Sequence, residues 1–379
     1  MQEEYGTRSI YSRRRFLGAS AAAGLAGLAL AACGSSGSST NASKTAAVKP
    51  KKDGSVLNLF AWQGYFAPSV ISGFEKKYGI KVNQTYTTSG DDELSKVASG
   101  LPFDCCITNS TTLPQLGSAG VLREINHDYL SSYDQVITAF RDPYYDHGAK
   151  YSVGYAMAPF GLAWQANRTG DMTGSWNDLW THAPKMQPHG YCVDGTAAIS
   201  LGLMHLGYSE NSNVQSQLDA AANSLIQLKP HLGGFESVNT IQILSSGQAW
   251  MIPTYTGNVY TAIISSSAAK KNLRFELCKE GQLFNADNLS ISSSAAHPGN
   301  GMLFIDWNLQ PANMAKNVQY TGYPVPTYAG LAAYKDLVAD YPFLDVGTDE
   351  ITNWGSWQRG LTAAQQKVWD AEWTKVLAA

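Results

Sequence analysis

The chain has 379 residues, 27 Lys+Arg against 30 Asp+Glu, a hydrophobic fraction of 44% and an aromatic fraction of 11%. That length suggests two domains, and so much apolar content excludes a disordered chain. The net charge of -3 excludes a strongly basic nucleic-acid binder.

The first residues read as an address. Ser12-Arg13-Arg14-Arg15-Phe16-Leu17-Gly18 looks like a twin-arginine export motif, and a soft Ala- and Gly-rich run follows from Phe16 to Ala32. Positive charge before a short apolar run marks a signal segment rather than a membrane span or a buried hairpin. The run ends Leu30-Ala31-Ala32-Cys33-Gly34, which resembles a bacterial lipobox. Residues 1–32 are therefore expected to be a leader, with Cys33 the lipidated first residue of the mature protein. Losing Arg8, Arg13, Arg14 and Arg15 along with Glu3 and Glu4 makes the mature chain two units more acidic. Residues 33–54, rich in Gly, Ser and Lys, are expected to form a flexible tether with a reach of about 25 Å. The chain thus reads as exported and lipid-anchored at the outer face of the cell membrane, or periplasmic.

The body opens with a short strand, Val56 to Phe60, and a loop, Ala61 to Tyr65. Apolar residues at Val70, Ile71, Phe74 and Tyr78 share one helical face, with Pro68 in the first turn and Gly79 just past the end. A strand from Ile80 to Tyr86, a helix from Asp92 to Ser99 and a strand from Phe103 to Ile107 complete a β-α-β-α-β series. That order predicts a parallel sheet with right-handed crossovers. In such sheets ligands lie beyond the carboxyl ends of the strands, which selects the loops Trp62–Tyr65, Thr87–Asp92 and Thr108–Thr112. Asp91, Asp92 and Glu93 also suit the positive end of the helix they begin.

A second α/β series begins after Pro159. Ser175 is read as the N-cap of a helix with Asp178 completing a capping box, and Trp176 and Trp180 as core residues. Gly190 to Val193 is a strand ending at Asp194, and Ala197 to Leu206 a helix. Ala249 to Ile252 is a strand leading to Tyr255. Phe284 to Asp287 precedes a strand from Leu289 to Ser292. The strand-end rule therefore also nominates Asp194, Tyr255 and Asp287.

Catalytic signals are sparse. The seven histidines make no H-x-x-H, H-E-x-x-H or H-x-H arrangement, and no G-x-S-x-G elbow, P-loop or strand–G-x-G-x-x-G–helix is present. The five cysteines form no C-x-x-C pair. Cys105 and Cys106 read as small buried hydrophobes, and a disulfide among the later cysteines is left open. No metal, cofactor or catalytic residue is expected. Scattered aromatics and carboxylates read as a binding cleft better than as a reaction centre.

From Leu57 to Trp373 the chain resembles the spermidine/putrescine-binding proteins of bacterial ABC importers. The stretches that carry the resemblance are Phe60-Ala61-Trp62-Gln63-Gly64-Tyr65, Phe103-Asp104, Ser175 to Trp180, Leu206-Gly207-Tyr208-Ser209, Leu303 to Asn317, Gly322 to Pro326, and Trp357-Gln358. The resemblance implies an α/β, two-lobed type II periplasmic-binding-protein fold with a ligand cleft between the lobes. Chain crossings are placed near Pro159, Asp287 and Thr327. Lobe 1 would hold residues 55–159 and 288–327, and lobe 2 residues 160–287 and 328–379. By the same resemblance Trp62 and Tyr65 match cleft aromatics, and Asn109 and Thr111 positions in the third loop. Asp194 and Asp287 match carboxylates that pair with ligand ammonium groups. Tyr255 falls where the family has a Trp, Tyr323 matches a Tyr and Gln358 a Gln. The implied protein is a monomer that carries an amine to an ABC permease and its ATPase.

Three positions depart from the family's pattern. Gly64 stands for an acid after the first Trp, Ala197 for a second acid beyond Asp194, and Asn285 for a Trp beside Asp287. Fewer charges and fewer aromatic walls bring a smaller diamine, a monocation or a modified amine level with a three-ammonium ligand. A solute of another class (an amino-acid derivative, another organic cation or an anion) and an exported enzyme are the competing readings.

Overall fold

Residues 45–87, 89–347, 354 and 357–379 are described by the structure, a computed structural model. The export motif, the lipobox with Cys33 and the first half of the tether lie outside the described residues. Strand β1 (Val56–Trp62) runs parallel to β2 (Lys81–Thr87) and to β3 (Cys105–Asn109). It takes in Ala61 and Trp62, which the sequence placed in the following loop. The intervening helix Pro68–Tyr78 keeps its expected bounds, with Pro in the first turn and Gly79 closing it at φ 61°. Val70 and Phe74 are its buried face. Helix Gly90–Ala98 is capped by Ser89, whose hydroxyl accepts the Asp92 N–H at 3.1 Å. Ser89→Ala is expected to lower stability by about 1 kcal/mol, read as a shifted denaturant midpoint at constant slope.

The sheet then changes character. Strand β4 (Val153–Gln165) is buried along its whole length, as is β9 (Leu283–Ser290). Both are antiparallel to their neighbours, in the order β2-β1-β3-β9-β4-β7, with β7 spanning Met251–Tyr255 and β8 (Leu273–Glu276) also on β4, while β5 (Tyr191–Cys192) and β6 (Gly234–Phe235) pair in a small sheet of their own. A strand covered on both faces need not alternate apolar and polar residues. The sequence reading starts this strand only at Leu289, after Phe284 to Asp287, whereas β9 begins at Leu283 and holds Asp287 within it.

β4 and β9 each serve two cores. The first core takes Val153 to Ala158 from β4 and Phe284, Ala286 and Leu289 from β9. The second takes Phe160, Leu162 and Trp164 from β4 and Leu283 from β9, beside helices Gly195–His205 and Gln215–Leu228. A third cluster packs Ile252, Val259 and Phe275 beside it. One changeover between cores falls near Pro159, and the next at Leu283–Phe284, a few residues before Asp287. The third is not at Thr327. Helix Tyr328–Asp340 returns Tyr334 and Leu337 to the first core, where Leu344 and Val346 also pack. The chain crosses later, between Trp357 in the first core and Leu361 against the second. Residues 328–346 therefore pack on the first core, with Tyr341 and Phe343 also against the third cluster, and the C-terminal helix Ala363–Ala378 packs Trp369 and Val376 in the second.

Two local expectations also shift. Helix Asn177–Met186 begins one residue late, with Trp176 at the cap position. Ser175 still accepts the Asn177 N–H, and Asp178 accepts the Ser175 N–H. Trp176 is fully buried, its indole N–H donating to the Gly281 carbonyl at 3.0 Å. All four described cysteines are free and buried, so none is bridged. Among the described residues no helix is long and apolar enough to cross a membrane.

Candidate functional site

Asp287 is the centre around which the site is built. It lies on β9 opposite Asn109 of β3, deep in the sheet and only 5% exposed. Its Oδ2 accepts the Tyr65 hydroxyl at 2.5 Å, its Oδ1 accepts Asn109 Nδ2 at 2.8 Å, and the Trp62 side chain supplies a further hydrogen bond. Burial raises its pKa from the usual carboxylate range, and these three donors oppose that rise. Among the described residues no lysine or arginine forms an ion pair with it. A buried carboxylate without a basic partner either takes up a proton or is offset by a positive charge from outside.

The surrounding side chains are held by their own elements. Gly64 turns the loop between Trp62 and Tyr65 at φ 72°, with nothing within 4 Å of a Cβ placed there. A left-handed backbone disfavours a side-chain-bearing acid by about 1–2 kcal/mol, which gives this departure from the family pattern a physical cause. Tyr65 packs between Tyr155 and Tyr323, with ring centroids 5.5 and 6.0 Å away, and Tyr155 OH donates to the Tyr65 carbonyl at 2.6 Å. Tyr323 reaches this position because Gly257 has no side chain: a Cβ there would lie 2.3 Å from the Tyr323 ring.

Thr111 does not itself touch Asp287. Its N–H and hydroxyl donate to Asn109 Oδ1 at 3.0 and 2.8 Å, which turns the Asn109 amide so that Nδ2 faces Asp287 and Asn285. Tyr255, at the end of β7, receives the Asn285 Nδ2 proton at 3.3 Å. Burial raises the Tyr255 pKa, with the charges of both Asp287 and Asp194 adding to it. One phenol from the second lobe therefore lies in the field of two carboxylates. Asp194 is exposed at the start of helix Gly195–His205, its Oδ1 accepting the Ser237 hydroxyl at 2.6 Å. Asp91, across from it on the first lobe, has its carboxyl raised by burial and then by Asp370 and Asp194. The mouth is thus acidic on both sides. Gln358 enters through its backbone, which donates to the Phe284 carbonyl and accepts the Tyr144 hydroxyl at 2.7 Å.

Five nominated residues, Trp62, Tyr65, Asn109, Tyr255 and Tyr323, gather around the carboxylate of the sixth, Asp287. Asp194 stands at the rim, Thr111 behind Asn109 and Gln358 at the crossing. Sequence reasoning missed Tyr155, whose Tyr155-Ala156-Met157-Ala158 setting reads as plain strand. It also took Glu93 for a helix-end charge, whereas Glu93 is fully buried behind Asn109.

Comparison with known proteins agrees with this architecture. Residues 69–344 match the model of the family described as bacterial extracellular solute-binding protein. The chain is 24% identical over 318 residues to the putrescine/agmatine-binding protein of Pseudomonas aeruginosa, covering 80% of this chain and 87% of that protein. It is 25% identical over 320 residues to the spermidine/putrescine-binding periplasmic protein of Escherichia coli, covering 82% and 89%. Among solved structures it superposes on a putative spermidine/putrescine ABC transporter from Listeria monocytogenes with a TM-score of 0.77, at 23% identity over 86% of this chain and 99% of that one. It also superposes on the A. tumefaciens protein AgtB in complex with agropinic acid, with a TM-score of 0.63 at 20% identity over 86% and 99%. The two-lobed α/β body is the type II periplasmic-binding-protein fold. The chain belongs to the bacterial extracellular solute-binding protein family.

Proposed function

We propose that the protein captures a small organic cation, a diamine such as putrescine in the first place, and delivers it to a membrane permease. The buried Asp287 carboxylate, walled by Trp62, Tyr65, Tyr255 and Tyr323 and lacking a basic partner among the described residues, carries this reading. Carboxylate suits ammonium, and aromatic faces suit both the cation and the methylenes between charges. The exposed Asp194 offers a second anion for the far end of the ligand. A charge-assisted hydrogen bond contributes about 1.5–3 kcal/mol net and a cation–π contact about 0.5–2 kcal/mol. Two of the first with two or three of the second reach the roughly 8 kcal/mol of micromolar affinity before ordering terms. Contacts from both lobes favour the closed form, so the ligand drives a hinge motion. The protein binds its solute without transforming it. A lipid on Cys33 and the tether would hold the monomeric body at the outer face of the cell membrane, or in the periplasm beside it, within reach of an ABC permease and its ATPase.

A ligand bearing both an amine and a carboxylate is the second reading. Arg359, exposed and beside Gln358, stacks 3.7 Å above the Tyr144 ring and supplies a cation near the crossing. A thermal-shift panel separates the two. Saturation at 100 times Kd stabilises by about 2.7 kcal/mol, a rise of several degrees in Tm. Putrescine, spermidine and agmatine are expected to give that rise and citrate none. A response confined to 4-aminobutyrate would favour the second reading, and silence to every amine would sink the first.

A further inference from the structure

Helix Gly90–Ala98 opens with three consecutive acids, and they do not behave alike. Asp91 is exposed and Asp92 pairs with Lys96 at 2.8 Å. Glu93 turns inward and is wholly buried. Its Oε1 accepts the Asn109 N–H at 2.9 Å and the Thr112 hydroxyl at 2.5 Å. Its Oε2 is buried with no hydrogen-bond partner. Asn109 in turn donates Nδ2 to Asp287 at 2.8 Å. Two buried carboxyls therefore grip one residue, Glu93 by the backbone from behind and Asp287 by the side chain from within the site.

Few other charges face this pair. On its own helix Glu93 has the exposed Asp91 and the Asp92–Lys96 pair, and the phenols of Tyr65, Tyr155, Tyr255 and Tyr323 surround Asp287. Strand β3 contributes the Cys106 thiol, itself raised by burial and by Glu93. β9 contributes Asp287, and β2 carries only Tyr86 and, at its far end, Lys81. Helix Leu113–Ser118 has no charged residue. Burial, with the Asp287 charge adding, pushes Glu93 up to about 8. Two carboxylates this close in a dry setting resist carrying charge together.

We propose that Glu93 is a proton-linked positioning residue for the cleft: it supports Asn109 as a neutral acid while Asp287 carries the charge, and releases its proton to solvent when a bound cation compensates Asp287. This rests on the cation-binding reading above. The consequence has a definite sign. Cation binding lowers the proton affinity of both carboxyls, so affinity rises with pH up to the value Glu93 has in the empty protein, then levels.

The test is titration calorimetry of the full chain with putrescine from pH 6 to 9, in buffers of different ionisation enthalpy. The wild type is expected to release part of a proton per ligand at pH 7 and to bind several-fold tighter at pH 8.5 than at pH 6.5, within the limit of about tenfold per pH unit for one proton. Glu93→Gln keeps an acceptor for Asn109 and cannot titrate, so it should bind at pH 7 with less proton release and a flatter profile. Glu93→Met, which also loses the acceptor, should bind more weakly at every pH. Equal proton release in wild type and Glu93→Gln overturns the proposal. A second arm needs no ligand: 13C-carboxyl titration of empty wild type and Asp287→Asn. A lower Glu93 midpoint in Asp287→Asn supports the coupling, and an unchanged midpoint overturns it. If putrescine evokes no heat from the wild type, the amine reading falls and this second arm still decides the coupling.

Discussion

Asp287→Asn is expected to weaken putrescine binding at least about 30-fold, since truncating one partner of a buried hydrogen-bonded charge pair costs about 2–5 kcal/mol. The geometry sharpens the expectation. The carboxylate collects donors from Tyr65, Asn109 and Trp62. An amide could satisfy only some of them and would turn an N–H toward another donor. Calorimetric affinities of the two proteins at pH 7.5 check this, with thermal unfolding as control for a folded variant. Unchanged affinity would remove Asp287 from the site. Asp194→Asn makes a useful contrast. At an exposed rim a charge acts mainly on association rate and salt dependence, so its effect should shrink as ionic strength rises.

The second large effect is expected from Trp62→Ala. The indole ends β1 and contributes both a wall and a hydrogen bond to Asp287. Losing a cation–π contact, about 0.5–2 kcal/mol, together with a hydrogen bond to a charged group, about 1.5–3 kcal/mol, predicts a drop of at least tenfold. Trp62→Phe should recover much of the stacking share and none of the hydrogen bond. Stopped-flow tryptophan fluorescence cannot report on either variant's missing indole, so equilibrium calorimetry is the measurement. Full affinity in Trp62→Ala would place the ligand elsewhere.

The parts of the molecule legible in the sequence are those where local chemistry sets the structure. Pro68 and Gly79 fix one helix to the residue, and β1, β2 and β3 follow from β-rich runs between such helices. Legibility failed where both faces of a strand are covered. In LFNADNLS the polar Asn285, Asp287 and Asn288 break the apolar run, yet all are buried because β3 and β4 flank them. Spacing also could not show that residues 328–346 fold back on the first lobe, since a helix of moderate polarity suits either side. Tyr323 was reachable through family resemblance alone, and the strand-end rule reached Asp287 although it lies within β9. Glu93 escaped because an acid in a first helical turn already has an ordinary explanation in the helix dipole; only its inward rotation distinguishes it from Asp91 and Asp92.

The third crossing has a mechanical consequence. Trp357 bridges to Phe284 in parallel, and the Gln358 N–H bonds the Phe284 carbonyl at 2.8 Å, beside the paired β4 and β9. The joint is therefore a two-stranded ribbon with a third segment bridged to its side instead of a set of independent tethers. A ribbon resists sliding and yields to bending and twisting, so the jaws keep their alignment as they part. Probes at Asp91 and Asp194 would travel far, while one at Phe284, on the pivot line, would barely move.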